Sequence, residues 1–414
     1  MRRVVVTGVG IVSSLGHSFD DVARRLAAGA SGITRNEEWA ELGLAATVAG
    51  SLDGIDDKIA ASSLTKRRRA AMGEAALYCC LAALDAVADA RLEADDLAAE
   101  STACIVGSGI GSTRAVYDGG RQVYGGRPRR VDPYGVLHAM ASSCSAAVSN
   151  LLGIRGRSYS LSSACATSSH NVGHAFELVR DGLLERAVAG GGEEIAPLVG
   201  AAFAALRSAL STRFAATPER ASRPFEAERD GFVLSGGAGV VVLETLERAL
   251  ERGATIHGEL AGFAANCDAF DLVLPEPEGT QAASCMRAAI ADAGIEAAAV
   301  DYVNAHATGT VSGDLAEGRA LRSVFGGDLP SISSTKSMGG HALGAAGAHE
   351  LIHCLAMIER GFVAPSINVD RLDPELADLP VLRQTERREI DVAMSNSFGF
   401  GGTNAVLVVR RAES

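Results

Sequence analysis

Residues 158–170 read S-Y-S-L-S-S-A-C-A-T-S-S-H, followed by N-V-G-H-A-F-E-L-V-R-D. The opening four residues suit a short strand. Val172, Ala175, Phe176 and Val179 recur at i, i+3, i+4 and i+7, which predicts an amphipathic helix over 171–181. Cys165 then stands at a strand-to-helix turn. Unpaired N–H groups and the helix dipole there are expected to lower a thiol's pKa and make it nucleophilic. The turn is not the hydrolase elbow G-x-S-x-G, because Ser163 and Thr167 replace the flanking glycines. The other seven cysteines are read as small buried hydrophobes.

Further along, 301–306 read D-Y-V-N-A-H, again a strand running into a reactive residue. Short β-like runs (3–7, 103–106, 158–161, 186–189, 239–243, 302–305, 405–409) alternate with Ala-rich helical stretches (18–28, 68–90, 171–181, 280–293, 314–325, 345–360). This alternation predicts an α/β fold. The chain divides near 248–255, giving halves 1–250 and 251–414 and a hint of internal duplication.

The 414 residues suffice for one large unit or two domains with a sizeable core. A net charge of −12 argues against general affinity for nucleic acid or an anionic membrane surface. No apolar run approaches membrane-spanning length, and the opening M-R-R-V-V-V-T-G-V-G reads as a first strand rather than a signal peptide. Eight scattered cysteines without C-x-x-C fit reduced thiols in a cytoplasmic protein.

Three more stretches could carry chemistry. N-A-H-A-T-G-T (304–310) places His306 at a strand end. S-S-T-K-S-M-G-G-H-A-L-G-A-A-G (333–347) places Lys336 and His341 in a Gly-rich loop before a helix. S-N-S-F-G-F-G-G-T-N (395–404) supplies Phe398 and Phe400 as apolar walls among glycines. Strand ends and helix starts are where α/β folds build sites. G-V-G-I-V-S (8–13) and G-S-G-I-G (107–111) are incomplete nucleotide fingerprints and are read as tight turns. Two basic clusters, Lys66 to Arg69 and Arg127, Arg129 and Arg130, stand out in an acidic chain and suggest docking of an acidic partner. H-E-L-I-H (349–353) matches the zinc-protease pattern H-E-x-x-H, but Ala356 and Glu359 replace the glycine and histidine of the metzincin extension. No metal is expected.

Taken together and in order, these motifs resemble the β-ketoacyl-[acyl-carrier-protein] synthases across essentially the whole chain. S-Y-S-L-S-S-A-C-A-T-S-S-H, followed by A-G-G-G-E-E, is most similar to the type I enzyme. The resemblance implies a thiolase-like fold of five α-β-α-β-α layers made from two similar halves, usually a homodimer, with a heterodimer as an alternative. It implies decarboxylative Claisen condensation with no cofactor beyond the 4'-phosphopantetheine arm of acyl carrier protein. Cys165 would carry the acyl group. His306 and His341 would assist decarboxylation. The N–H groups of Cys165 and Phe400 would form an oxyanion hole. Lys336 would hold site charge, with Asp314 as its partner, and Glu350 would order the loop. Thr308 and Thr310 would bind the pantetheine arm, with Phe203, Ile110, Phe398 and Phe400 lining the substrate pocket. Lys66, Arg67, Arg129 and Arg130 would dock the carrier protein. Two departures stand out: no proline follows Thr310, and Gly339 replaces the threonine of the T-G that precedes the histidine corresponding to His341. Ile110 resembles the type II enzymes. A polyketide or aryl-polyene ketosynthase and a non-catalytic chain-length factor are the competing readings.

Overall fold

In the computed structural model, which describes residues 2–206 and 209–412, ten strands form one sheet. The first five are β1 (Val4–Val12), β2 (Thr102–Gly107), β3 (Ser158–Tyr159), β4 (Arg186–Glu193) and β5 (Gly237–Thr245). The next five are β6 (Gly258–Cys267), β7 (Tyr302–Asn304), β8 (Ser331–Ser333), β9 (Val392–Gly399) and β10 (Thr403–Arg410). Within each set the spatial order is third, second, fourth, fifth, first. Within each set the fifth strand runs antiparallel to both its neighbours, while the second pairs in parallel with the third and fourth. The two sets therefore have one topology. They join where Val4, Val5 and Val6 of β1 pair with Leu260, Glu259 and Gly258 of β6. Residues 4–12 are buried throughout, as a first strand requires.

Six helices complete the layers: α1 (Glu74–Ala90), α2 (Ser143–Leu152), α3 (Thr167–Arg180), α4 (Thr280–Asp292), α5 (Val311–Phe325) and α6 (Ala346–Arg360). Helices α1 and α2 cover the outer face of the first set, and α4 and α5 that of the second. Helices α3 and α6 pack on each other between the two sets. That gives α-β-α-β-α. The central position explains why α6 is buried continuously from Ala346 to Ile358.

Two expectations change. Gly8 and Gly10 lie inside β1 rather than in a turn. A Cβ on Gly10 would meet the Ala82 carbonyl of α1 at 1.9 Å, so glycine is there for close strand–helix approach. The helix expected over 68–90 is two helices, Lys66–Arg69 and α1, because the chain leaves helical geometry at Gly73 (φ −71, ψ 165).

Candidate active site

The site forms where both halves end their strands against the central helices. Cys165 occupies a single 3₁₀ turn, Ala164–Ala166, and α3 starts immediately after it at Thr167. Ala164 takes a left-handed φ of 50°, a strained conformation that makes the turn sharp. Two contacts from the β9–β10 hairpin hold it. Thr403 Oγ1 donates to the Ser163 carbonyl at 3.2 Å, and Gly399 lies so close that a Cβ would sit 3.2 Å from the Cys165 nitrogen.

His341 Nε2 lies 3.0 Å from Cys165 Sγ. The His306 and His341 rings stand perpendicular, with centroids 5.3 Å apart, and Phe398 flanks His306 at 5.8 Å. Burial holds both histidines well below the ordinary imidazole pKa, and Lys336 adds to this, so both are neutral near pH 7. The His341 backbone is fixed by two bonds, N–H to the Val233 carbonyl at 2.7 Å and carbonyl to the Ser235 N–H at 2.9 Å. Lys336 and Glu350 form a fully buried ion pair.

The Cys165 thiol departs from expectation. Burial pushes it up to about 12, and the opposing pull of Lys336 and of the Phe400 N–H does not reverse that. Starting a helix is not enough to ionise a thiol this deep.

The pocket residues fall into two groups. The Phe203 ring packs against Phe232 at 5.3 Å and Phe400 at 5.9 Å, beside the cluster that contains Cys165. Ile110 is 43% exposed, on a surface loop. Thr308 and Thr310 hydroxyls lie 3.3 Å apart. Lys66, Arg67, Arg129 and Arg130 are exposed. Their two segments are neighbours, since the His138 ring reaches the Ala70 carbonyl and Met72 and Arg130 line one cavity of about 410 Å³.

Asp314 is not the partner of Lys336. It pairs with buried Arg229 at 3.1 Å and accepts N–H bonds from Phe225 and Gly309. Glu350 takes the lysine instead. Asp314 sits in the first turn of α5, which faces the 225–231 loop, whereas α6 runs directly behind Lys336.

Sequence reasoning missed two carboxylates. Glu193 accepts from Ser108 Oγ and from the N–H groups of Gly109, Ile110, Gly111 and Gly344. It thereby ties the Ile110 loop to the turn after His341. Glu317 accepts from the N–H groups of His306 and Ala307 and from Asn396 Nδ2. Its one available signal was position, three residues after Asp314 on the same helix. The H-E-L-I-H histidines are buried inside α6, and no group of three metal-ligating side chains occurs among the described residues.

Two strand sets of one topology, wrapped around a buried cysteine in contact with His341, which in turn packs on His306, define a thiolase-like enzyme. The comparisons give the family. Residues 1–249 match the model for the β-ketoacyl synthase N-terminal domain and 257–370 that for the C-terminal domain. The chain belongs to the β-ketoacyl synthase family. It is 44% identical to 3-oxoacyl-[acyl-carrier-protein] synthase 1 of Haemophilus influenzae over 99% of both chains. A β-ketoacyl synthase from Burkholderia phymatum superimposes with a TM-score of 0.93 at 35% identity, covering 100% of both chains. A type II polyketide ketosynthase, solved with its acyl carrier protein and bound to the hexaketide, gives 0.91 at 31% identity, over 99% of this chain and 100% of that one.

Proposed function

We propose that the protein is an elongating β-ketoacyl-[acyl-carrier-protein] synthase. The carrying observation is the 3.0 Å contact between Cys165 Sγ and a neutral His341. The thiol is protonated at rest. As its sulfur attacks the acyl thioester, His341 takes the proton and passes it to the departing pantetheine thiolate. The acyl group is left on Cys165. Malonyl-carrier protein then loses CO2. The N–H of neutral His306, and that of His341 once its ring proton stands on Nε2, stabilise the enolate oxygen. The carbanion attacks the acyl carbonyl, whose oxyanion is held by the N–H groups of Cys165 and Phe400, and collapse expels the Cys165 thiolate, which takes a proton from water to restore the thiol. Lys336, neutralised by Glu350, fixes the electrostatics. Thr308 and Thr310 receive the pantetheine arm, Phe203, Phe398 and Phe400 wall the acyl chain, and Ile110 extends the pocket from its loop. Lys66, Arg67, Arg129 and Arg130 offer positive charge to an acidic carrier protein.

Halves 1–250 and 251–414 divide the work, the first bringing the nucleophile and the second the His/Lys/His set. Val116, Tyr117, Tyr124 and Val136 are each more than half exposed, close in sequence, and β3 is a free sheet edge; both features suit a homodimer. No described helix is long and apolar enough to cross a membrane, and the eight cysteines are free. Both are compatible with a cytoplasmic location. Identity of 44% to a 3-oxoacyl-[acyl-carrier-protein] synthase, against 31% to a polyketide ketosynthase, favours elongation over polyketide assembly. Incubation with acyl- and malonyl-carrier protein should yield β-ketoacyl product and CO2. Cys165→Ala should yield none, and product from that variant would overturn the reading.

A further inference from the structure

The two histidines of H-E-L-I-H have no part in the chemistry above, yet both are buried beside it. His353 Nδ1 lies 3.0 Å from Thr335 Oγ1. That oxygen also meets the Asn304 amide, with Nδ2 at 3.2 Å and Oδ1 at 3.4 Å. Thr335 immediately precedes Lys336. Asn304 ends β7, two residues before His306. Glu350, one helical turn from His353 on α6, grips Lys336 itself. One face of α6 thus holds two successive residues of the lysine turn.

A cavity of about 10 Å³ lies behind this turn, lined by Thr335, Lys336, His349, Glu350 and His353 among others. His349 Nε2, His353 Nε2 and Glu350 Oε2 have no protein partner. The space admits a water molecule and nothing larger. The network therefore touches Lys336 and the strand end carrying His306. None of its side-chain bonds goes to Cys165 or His341, whose backbone is held by Val233 and Ser235, although Gly340 and Ala342 beside His341 line the same cavity.

We propose that His353 is a positioning residue for decarboxylation, its Nδ1 bond to Thr335 setting the Lys336 turn and, through Asn304, the presentation of His306. The inference rests on the condensation reading above. Three variants test it. His353→Phe removes both nitrogens, His353→Asn places an amide near the Nδ1 position, and His353→Gln places one near Nε2. Malonyl-carrier decarboxylation should fall about tenfold in the Phe and Gln variants, the scale of one lost hydrogen bond, and recover to within about threefold in the Asn variant. Acylation of Cys165 by acyl-carrier protein should stay within about twofold in all three. Equal loss of both half-reactions, or an Asn variant no better than Gln, overturns the proposal. If His353→Phe does not fold, Thr335→Val reads the same bond from the other end, with the same selective loss expected and an unselective loss overturning it. A wild-type protein without either half-reaction would instead overturn the functional reading.

Discussion

A thiol in the core is a poor nucleophile until something removes its proton. With Cys165 pushed up to about 12 by burial, the resting site holds S–H and neutral imidazole rather than a thiolate–imidazolium pair. Alkylation of Cys165 by iodoacetamide should therefore be slow at pH 7 and still rising at pH 9. A plateau below pH 8, read by mass spectrometry of the modified peptide, would contradict this. Asp314 makes a second residue-scale prediction. Asp314→Ala leaves the Arg229 guanidinium, 0% exposed, with only one of its two carboxylate partners, Asp373. Denaturant unfolding should show a loss of about 3–5 kcal/mol. Cys165, His306, Lys336 and His341 were legible in the sequence because each stands where a strand ends or a helix begins. The partner of Lys336 was not, since nothing in the linear order brings Arg229 to Asp314. Glu193 and Glu317 stayed hidden because their partners are mostly backbone N–H groups, which no side-chain pattern reports.

At the scale of elements, glycines decide how closely pieces approach. Gly10→Ala would drive a Cβ into the α1 backbone. Overpacking there should cost about 1–3 kcal/mol or more, read as a lowered unfolding midpoint with an unchanged slope. Gly399→Ala meets the Ser163 carbonyl at 2.8 Å and presses on the Cys165 turn. It should cut condensation far more than it cuts stability, whereas equal losses would mean that the β9–β10 turn does not set the nucleophile's position. The long helices and buried strands were readable from periodicity. β7 and β8, three residues each, are too short for any period to emerge, and only the first entered the strand candidates, as part of 302–305. β6 was overlooked because Gly258 and Gly262 dilute its strand character. Gly262 is there because a Cβ would meet the Ala289 carbonyl of α4 at 2.4 Å. The run 395–404 drew no strand reading, and most of it is the β9–β10 hairpin.

At the scale of the molecule, the duplicated topology places Cys165 of one half against His341 of the other, so the seam between halves matters. His257 lies on that seam, between Asp89 of α1 at 2.8 Å and Glu359 of α6 at 3.0 Å. The two carboxylates raise it from 6.5 to about 9 against the opposing effect of burial. A raised histidine stabilises fully below its unfolded pKa, and that contribution is lost as pH climbs through about 9. Its size is of order 2 kcal/mol once the part-exposed carboxylates are discounted. Unfolding free energies from pH 6.5 to 9.5 should fall accordingly, and His257→Ala should flatten the slope. The duplication itself was only hinted at by two strand-to-turn stretches. Its proof is the shared strand order, which depends on pairings across the chain. The central claim, that Cys165 holds the acyl group between two carrier-bound substrates, is tested most directly by intact-protein mass spectrometry. Acyl-carrier protein alone should add one acyl mass, mapped to Cys165, and malonyl-carrier protein should then discharge it with release of one CO2 per β-ketoacyl product. Condensation at wild-type rate with Cys165 unmodified would contradict the account.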